Sequence, residues 1–149
     1  MGRGCEVTSV ETCIFCKIAL HQIPARIIHE TDHCLAFLDI APLAPGHTLV
    51  IPKRHAGTLA DIALESLLGL VAELPRLTRA IQAATGAPGV NVLQNNGAPA
   101  GQVVMHVHFH LIPRWEGDGL GYRWNAKEQN AQRDEAIAEH VRQHLRAVT

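Results

Sequence analysis

The chain has 149 residues, and its 13 Lys and Arg residues nearly balance its 14 Asp and Glu residues. This length predicts one domain with a hydrophobic core, and the charge balance argues against nucleic acid or an anionic membrane surface as a partner. The sequence contains no apolar stretch long enough to span a bilayer and no N-terminal signal segment, so a cytoplasmic protein is expected.

The N-terminus is short and polar, so residues 1–12 are expected to form a flexible tail before a single domain over residues 13–149. Two apolar runs, 26–29 and 34–38, flank a polar tetrapeptide and predict a hairpin. A third strand is expected over residues 47–51, because Pro52 stops the pattern.

Apolar residues at helical spacing predict one main helix over residues 58–85. Pro75 lies inside this helix and should bend or divide it, because proline lacks a backbone donor. Two further strands are expected over residues 90–94 and 103–112, and a loop joins them. A closing amphipathic helix is predicted from the spacing of Ile137, Val141, Leu145 and Val148.

Three histidines, His106, His108 and His110, alternate with apolar residues in the last predicted strand. Strand side chains alternate between faces, so the imidazoles should share a polar face while Val107 and Phe109 point to the core. An imidazole can act as nucleophile, proton donor or metal ligand near neutral pH. The run therefore indicates a chemical site, and the alternative is a row of surface histidines on an edge strand.

Together, five blocks of sequence resemble the histidine triad superfamily, and specifically its Hint-type nucleotide hydrolases. The blocks lie at residues 13–18, 35–40, 45–55, 94–97 and 101–110. The resemblance implies an α+β fold with an antiparallel sheet, a main helix and a C-terminal helix. It also implies a homodimer in which the sheet extends across two chains, with one nucleotide site in each subunit.

The same resemblance implies hydrolysis of a purine nucleoside phosphoramidate at its α-phosphorus, with release of a nucleoside monophosphate. The nucleophile would be His108, which would form a nucleotidyl-histidine intermediate, and His110 would lie at the phosphate or leaving group. A supporting role falls to His47, although an ordinary strand histidine would give the same sequence. The positions that match the family's nucleotide contacts are Phe15, Ile18, Phe37 and Ile40 for the base, Asp39 for the ribose, and Asn95, Gly101 and Gln102 for the phosphate.

Several of these positions have simpler interpretations from sequence alone. The apolar residues of the base pocket could be ordinary core, and Asp39 could initiate a turn before Pro42. The chain also departs from the family at Val103, where a Ser or Thr is usual, and valine cannot donate a hydrogen bond to phosphate.

A CxxC pair, Cys13 and Cys16, suits a zinc ion, and two buried thiols are the alternative interpretation of the pair alone. Resemblance to zinc-binding Hint relatives adds His55 and His106 as the other two ligands. Such a closed set would make the zinc structural, and the chemical step would not need it. Cys5 and Cys34 stay unassigned.

Four other functions compete with this interpretation. One is a metal-dependent hydrolase that uses the HxH pattern as metal ligands. Within the superfamily, a dinucleoside polyphosphate hydrolase and a nucleotidyl transferase are the nearest alternatives, although such a transferase generally carries Gln at the position of His110. The fourth is a nucleotide-binding module without catalysis.

Overall fold

A computed structural model describes residues 7–120 and 130–147 of the chain. Over these residues the predicted α+β fold is confirmed, because five antiparallel strands form one sheet that helices flank. The strand order is β1-β2-β3-β5-β4. The strands are β1 (Ile27–Glu30), β2 (Cys34–Leu38), β3 (Thr48–Pro52), β4 (Gly89–Gln94) and β5 (Phe109–Arg114).

Five helices accompany the sheet in the described part of the chain. They are α1 (Val7–Thr12), α2 (Ile14–Ala19), α3 (Leu64–Val71), α4 (Leu74–Thr85) and α5 (Ala131–Ala147). None of them combines the length and the apolar character needed to cross a bilayer. The predicted C-terminal helix is present as α5, although Val148 lies outside the described residues, and α1 falls where the sequence predicted a flexible tail.

The core lies on both faces of the sheet. On β2, Leu35 and Phe37 pack into one cluster with α2, while Cys34 and Ala36 pack into a second cluster with α3 and α4. Alternate residues of a strand point to opposite faces, and both faces are covered here. This double burial explains why β2 and β3 are continuous apolar runs instead of alternating ones.

The single main helix predicted over residues 58–85 is wrong in its extent. The structure begins the helical region at Leu64 and divides it into α3 and α4. Pro75 has no amide hydrogen to donate to the carbonyl of Val71, and its ring crowds that carbonyl. α3 therefore ends at Val71, and Pro75 lies in the first turn of α4, where proline is tolerated.

The predicted strand over residues 103–112 is also wrong at its start. β5 begins at Phe109, so His110 lies in the strand while His106 and His108 precede it. The Val107 amide donates 2.7 Å to the Ala56 carbonyl, and this bond takes the backbone away from β3. The Phe15 ring packs edge-on against both His106 and His108, so the predicted polar face is covered by α2 and the two histidines are buried, unlike the surface histidines of the alternative interpretation.

Candidate functional site

Three histidines converge where β3 and β5 lie side by side. The residue before β3 is His47, and its Nε2 lies 2.9 Å from Nδ1 of His110 on β5. The ring of His108 lies 4.9 Å from that of His110, centroid to centroid. The sheet therefore gathers imidazoles from two separate segments, and both His47 and His108 are buried.

Hydrogen bonding fixes which nitrogen of each ring carries a proton. The Leu43 amide donates to Nδ1 of His47 at 3.0 Å, so that nitrogen must be an acceptor and the proton of the neutral ring is on Nε2. That Nε2–H then donates to Nδ1 of His110. The proton of neutral His110 is therefore on its Nε2, which has no hydrogen-bond partner in the described residues and can donate to a ligand.

The proton of His108 is on the other ring nitrogen from that of His110. Its Nδ1 lies 2.7 Å from the backbone carbonyl oxygen of His106, and a carbonyl can only accept, so Nδ1 carries the proton. The Nε2 of the neutral ring therefore has a free lone pair. The site pairs one imidazole that can attack with a neighbouring imidazole that can donate, which is what a substitution at phosphorus requires.

Burial favours the neutral form of two of these rings, His110 and His47. It lowers the pKa of His110 to about 4, and the neighbouring His108 and His47 reinforce the shift. Burial also lowers the pKa of His47, although the Asp39 carboxylate, 3.6 Å from Nε2, opposes that shift. A neutral His110 is the form that the hydrogen-bond chain needs, because its Nδ1 must accept.

A second cluster joins α2 to the segment before β5. Its four members are Cys13, Cys16, His55 and His106, whose ligand atoms all lie within 4.8 Å of one another. The Nε2 of His106 donates to the Pro52 carbonyl at 2.9 Å, which turns Nδ1 towards the cysteines. Burial lowers the pKa of His106 to about 4, so the ring offers a neutral lone pair.

The spacing of these four side chains fits a tetrahedral metal ion. Metal bonds of about 2.0 Å to nitrogen and about 2.3 Å to sulfur imply separations of about 3.3 Å between two nitrogens and about 3.5 Å between nitrogen and sulfur. The two Nδ1 atoms lie 3.3 Å apart, and the Sγ atoms of Cys13 and Cys16 each lie 3.5 Å from Nδ1 of His106. The four residues can therefore hold a metal ion. Cys34 lies apart in the core, and Cys5 lies outside the described residues.

The residues expected to bind the base and ribose are only partly gathered. Phe15, Ile18 and Phe37 lie together in the buried cluster below the histidines, with the two phenyl rings 5.7 Å apart. In contrast, Ile40 is 100 % exposed and joins no cluster. The Asp39 carboxylate lies beside His47 and also accepts from the Ala41 amide, as the turn interpretation predicts.

The residues expected to bind phosphate differ in how much of their polar surface is available. The half-buried Asn95 side-chain amide has no partner in the described part of the chain, and it lies 3.5 Å from where a Cβ on Gly101 would be. Gly101 has φ +91°, a backbone conformation that favours glycine. The side chain of Gln102 is 3 % exposed and already hydrogen-bonded within the protein. Val103 is 89 % exposed.

Some contributors to the site carry no sequence signal. The Leu43 amide sets the proton of His47, the Pro52 carbonyl orients His106, and the His106 carbonyl orients His108. All three act through the backbone, which every residue type shares. The one related signal in the sequence is the group of turn residues Pro42, Pro45 and Gly46, which indicates a loop before His47 but not that the Leu43 amide contacts its ring.

The sequence of this chain is similar to those of known proteins. The family model described as the HIT domain matches residues 21–117. A Saccharomyces cerevisiae protein named adenosine 5'-monophosphoramidase is 50% identical over 117 residues, which cover 78% of this chain and 72% of that protein.

Solved structures share the fold. A crystal structure of a Streptococcus mutans protein has a TM-score of 0.88 and 38% identity, and the match covers 97% of this chain and 92% of the other. A zinc-bound histidine triad family protein from Mycobacterium smegmatis has a TM-score of 0.71 and 34% identity, with coverage of 94% and 99%.

The low pKa of His110 predicts how stability depends on pH. The folded-state value of about 4 lies below the ordinary value of 6.5, so the unfolded chain takes up a proton first as the pH falls. The stability that His110 contributes is present above pH 6.5 and is lost between pH 6.5 and about 4. We expect the melting temperature of the His110→Gln variant to depend less steeply on pH in this window than that of the wild type, as calorimetry would measure. Equal slopes would contradict the assignment.

Proposed function

This chain belongs to the HIT family, and from that membership and the arrangement of its histidines we propose that it hydrolyses purine nucleoside phosphoramidates at the α-phosphorus. The observation that carries the proposal is the opposite orientation of two neighbouring imidazoles. His108 has a free lone pair on Nε2, and His110 has a free N–H. The phosphoramidase name of the yeast relative supports the same substrate class.

In the proposed reaction, Nε2 of His108 attacks phosphorus and the bond from phosphorus to the leaving nitrogen breaks. The leaving nitrogen takes a proton from solvent, while His110 Nε2–H stabilises the phosphate oxygens. The His106 carbonyl continues to accept from Nδ1 of His108, whose ring becomes cationic in the nucleotidyl-histidine. Water then attacks phosphorus, the bond to His108 breaks, and the proton returns to solvent with release of the nucleoside monophosphate.

The surroundings of His108 support a nucleotide as the substrate. The Phe15 ring lies 5.2 Å from the His108 ring, so an apolar surface for a base adjoins the nucleophile. We propose that Phe15, Ile18 and Phe37 line the base pocket, that Ile40 covers the base when a nucleotide binds, and that Asp39 accepts from the ribose hydroxyls. The phosphate would be held by the Asn95 amide and by the backbone near Gly101.

We also propose that the ion held by Cys13, Cys16, His55 and His106 is zinc. A set of two thiolates and two imidazoles favours zinc over magnesium or calcium, which prefer oxygen ligands. When bound, such an ion supplies structural stabilisation, because four protein ligands leave no position for a reacting water. Burial and the adjacent Cys13 thiol raise the pKa of the Cys16 thiol to about 12, so that the cation would have to offset the cost of ionising it.

A dimer is the third element of the proposal. β4 is an edge strand whose free side has no partner strand in the described part of the chain, and two of its aliphatic side chains are exposed, Val92 by 46 % and Leu93 by 38 %. Unpaired backbone groups beside exposed apolar residues favour pairing with another strand. We propose that β4 of a second copy pairs here and extends the sheet.

The nucleophile is tested by substitution of His108. We expect His108→Gly to lower kcat for an adenosine phosphoramidate by about 10⁴-fold or more, because the variant lacks the nitrogen that forms the proposed covalent intermediate. Added imidazole should restore part of the rate by filling the space. The matched control is His140→Ala on α5, an exposed histidine far along the chain from the site, which should leave the rate unchanged. Appreciable turnover by His108→Gly without imidazole would contradict the mechanism.

The same assay identifies the substrate class. Wild-type rates should be compared for adenosine and guanosine phosphoramidates, lysyl-adenylate and a diadenosine polyphosphate. The proposal expects the phosphoramidates to have the highest kcat/KM, and faster turnover of the polyphosphate would identify the chain as a dinucleoside polyphosphate hydrolase instead.

Zinc is tested by metal analysis of protein purified without chelator or added metal. We expect about one zinc per chain, and we expect Cys16→Ser to lose the metal and lower the melting temperature, since metal binding contributes folding free energy. Cys34→Ser, at a buried cysteine outside the cluster, is the matched control and should retain zinc. Near-zero zinc in a folded wild type would reject this part of the proposal.

The dimer is tested by light scattering, which should give twice the 16.2 kDa chain mass. Val92→Lys should shift the mass towards that of the monomer, because a charge on an exposed edge disfavours strand pairing. Ile28→Lys introduces the same change on β1, at the opposite edge of the sheet, and should leave the dimer intact. A monomeric wild type would rule out the dimer.

A further inference from the structure

Gln102 is a buried amide whose polar atoms are all in use. Its Oε1 accepts from the Gly97 amide at 2.7 Å, and its Nε2 donates to the Gly57 carbonyl at 2.7 Å and to the Val104 carbonyl at 3.1 Å. A primary amide has two N–H donors, and both have acceptors here. To donate to a phosphate, Gln102 would have to abandon one buried carbonyl, which costs free energy.

The hydrogen bond from Gln102 to Gly57 is one of three contacts between the same two segments. The adjacent Ala56 carbonyl accepts from the Val107 amide at 2.7 Å, and His55 meets His106 in the cysteine–histidine cluster. Residues 55–57 thus form a platform that contacts the histidine segment, residues 102–107, at Gln102, His106 and Val107. This segment lies outside the strands, so it has no ladder of hydrogen bonds to hold it.

A continuous path of hydrogen bonds leads from Gln102 to His108. The Val104 carbonyl accepts from Gln102 and also from the His106 amide, at 2.8 Å. The carbonyl of that same His106 accepts from Nδ1 of His108 at 2.7 Å. The position of the acceptor that orients His108 therefore depends on the bend that Gln102 fastens.

We propose that Gln102 is a positioning residue, which holds the His106 carbonyl against His108 and does not bind the phosphate. The inference rests on the proposed function in taking His108 as the nucleophile. It replaces the phosphate contact that family resemblance suggests for Gln102. Asn95 provides the contrast, because its side-chain amide has no partner in the described residues and is available to a ligand.

Gln102→Met tests the inference, since methionine has a similar shape, carries no charge and makes none of the three hydrogen bonds. Three quantities are measured on zinc-loaded protein: kcat for an adenosine phosphoramidate, and the dissociation constants of AMP and adenosine by calorimetry. The ratio of the two constants isolates the binding of the phosphate. We expect kcat to fall by about 10- to 100-fold through misplacement of the nucleophile, while the ratio changes by less than about twofold.

Asn95→Ala is the matched comparison, and unlike Gln102→Met it should change the ratio of the AMP and adenosine dissociation constants. Loss of a hydrogen bond to a charged group should weaken AMP relative to adenosine by about tenfold or more. If Gln102→Met weakens AMP relative to adenosine as strongly as Asn95→Ala does, Gln102 is a phosphate ligand and the inference is wrong. An unchanged kcat with only a lowered melting temperature would also overturn it, because the residue would then be merely structural.

Nuclear magnetic resonance of the His108 ring separates positioning from general stability. The Nδ1–H signal should shift or exchange faster with water in Gln102→Met and stay unchanged in Asn95→Ala. This readout needs no turnover, so it remains decisive if the wild type fails to hydrolyse the phosphoramidate, a result that would reject the proposed function alone.

If Gln102→Met does not fold, the wild type supplies the test. On titration with AMP, the side-chain NH₂ signals of Asn95 should move while those of Gln102 stay in place. Large movement of the Gln102 signals, or direct coupling between them and the phosphate, would overturn the inference.

Discussion

The structure depends on how one residue, His106, is held. Its ring donates to the Pro52 carbonyl on one side and faces two cysteines and His55 on the other, while its backbone carbonyl accepts from His108. Three different groups therefore fix a residue that lies outside the strands. The ring and the backbone carbonyl belong to the same residue. The contacts that hold the His106 ring in the cysteine–histidine cluster therefore also hold the carbonyl that orients His108.

Electrostatics impose the second constraint. Imidazoles packed this closely cannot all be charged, since like charges at short range in a buried site repel strongly. Burial resolves the conflict by favouring the neutral form of His47 and His110. Backbone groups, which do not titrate, then determine which ring nitrogen carries the proton. The Leu43 amide does so for His47, and the His106 carbonyl does so for His108. Neutral rings with fixed protons can act as donor and nucleophile without reorganisation.

Sequence reasoning succeeded where a pattern and its physical cause coincide. β2 was predicted residue for residue, because a continuous apolar run suits a strand buried on both faces. It failed at the histidine run, where alternation was assumed to mean a strand. His106 and His108 alternate with apolar residues, yet the backbone around them is held by other anchors: the Ala56 carbonyl bonds to the Val107 amide, and the Gln102 side chain bonds to the Val104 carbonyl. Hydrogen bonds of this kind produce no periodic pattern in the sequence, so the start of β5 and the burial of the histidines could not be predicted.

The same hydrogen bonds determine the surroundings of Val103, the position where the family resemblance implies a Ser or Thr. Its side chain is exposed and has no donor to offer, but its amide nitrogen has no acceptor in the described residues. The position of that amide is set by its neighbours, because Gln102 and the Val104 carbonyl are bonded to each other and Gln102 is bonded to Gly57. Val103 lacks the hydroxyl that a Ser or Thr would carry, while these hydrogen bonds hold the backbone beside it. In the proposed phosphate site, backbone amides held in this way would still offer donors where the side chain of Val103 offers none.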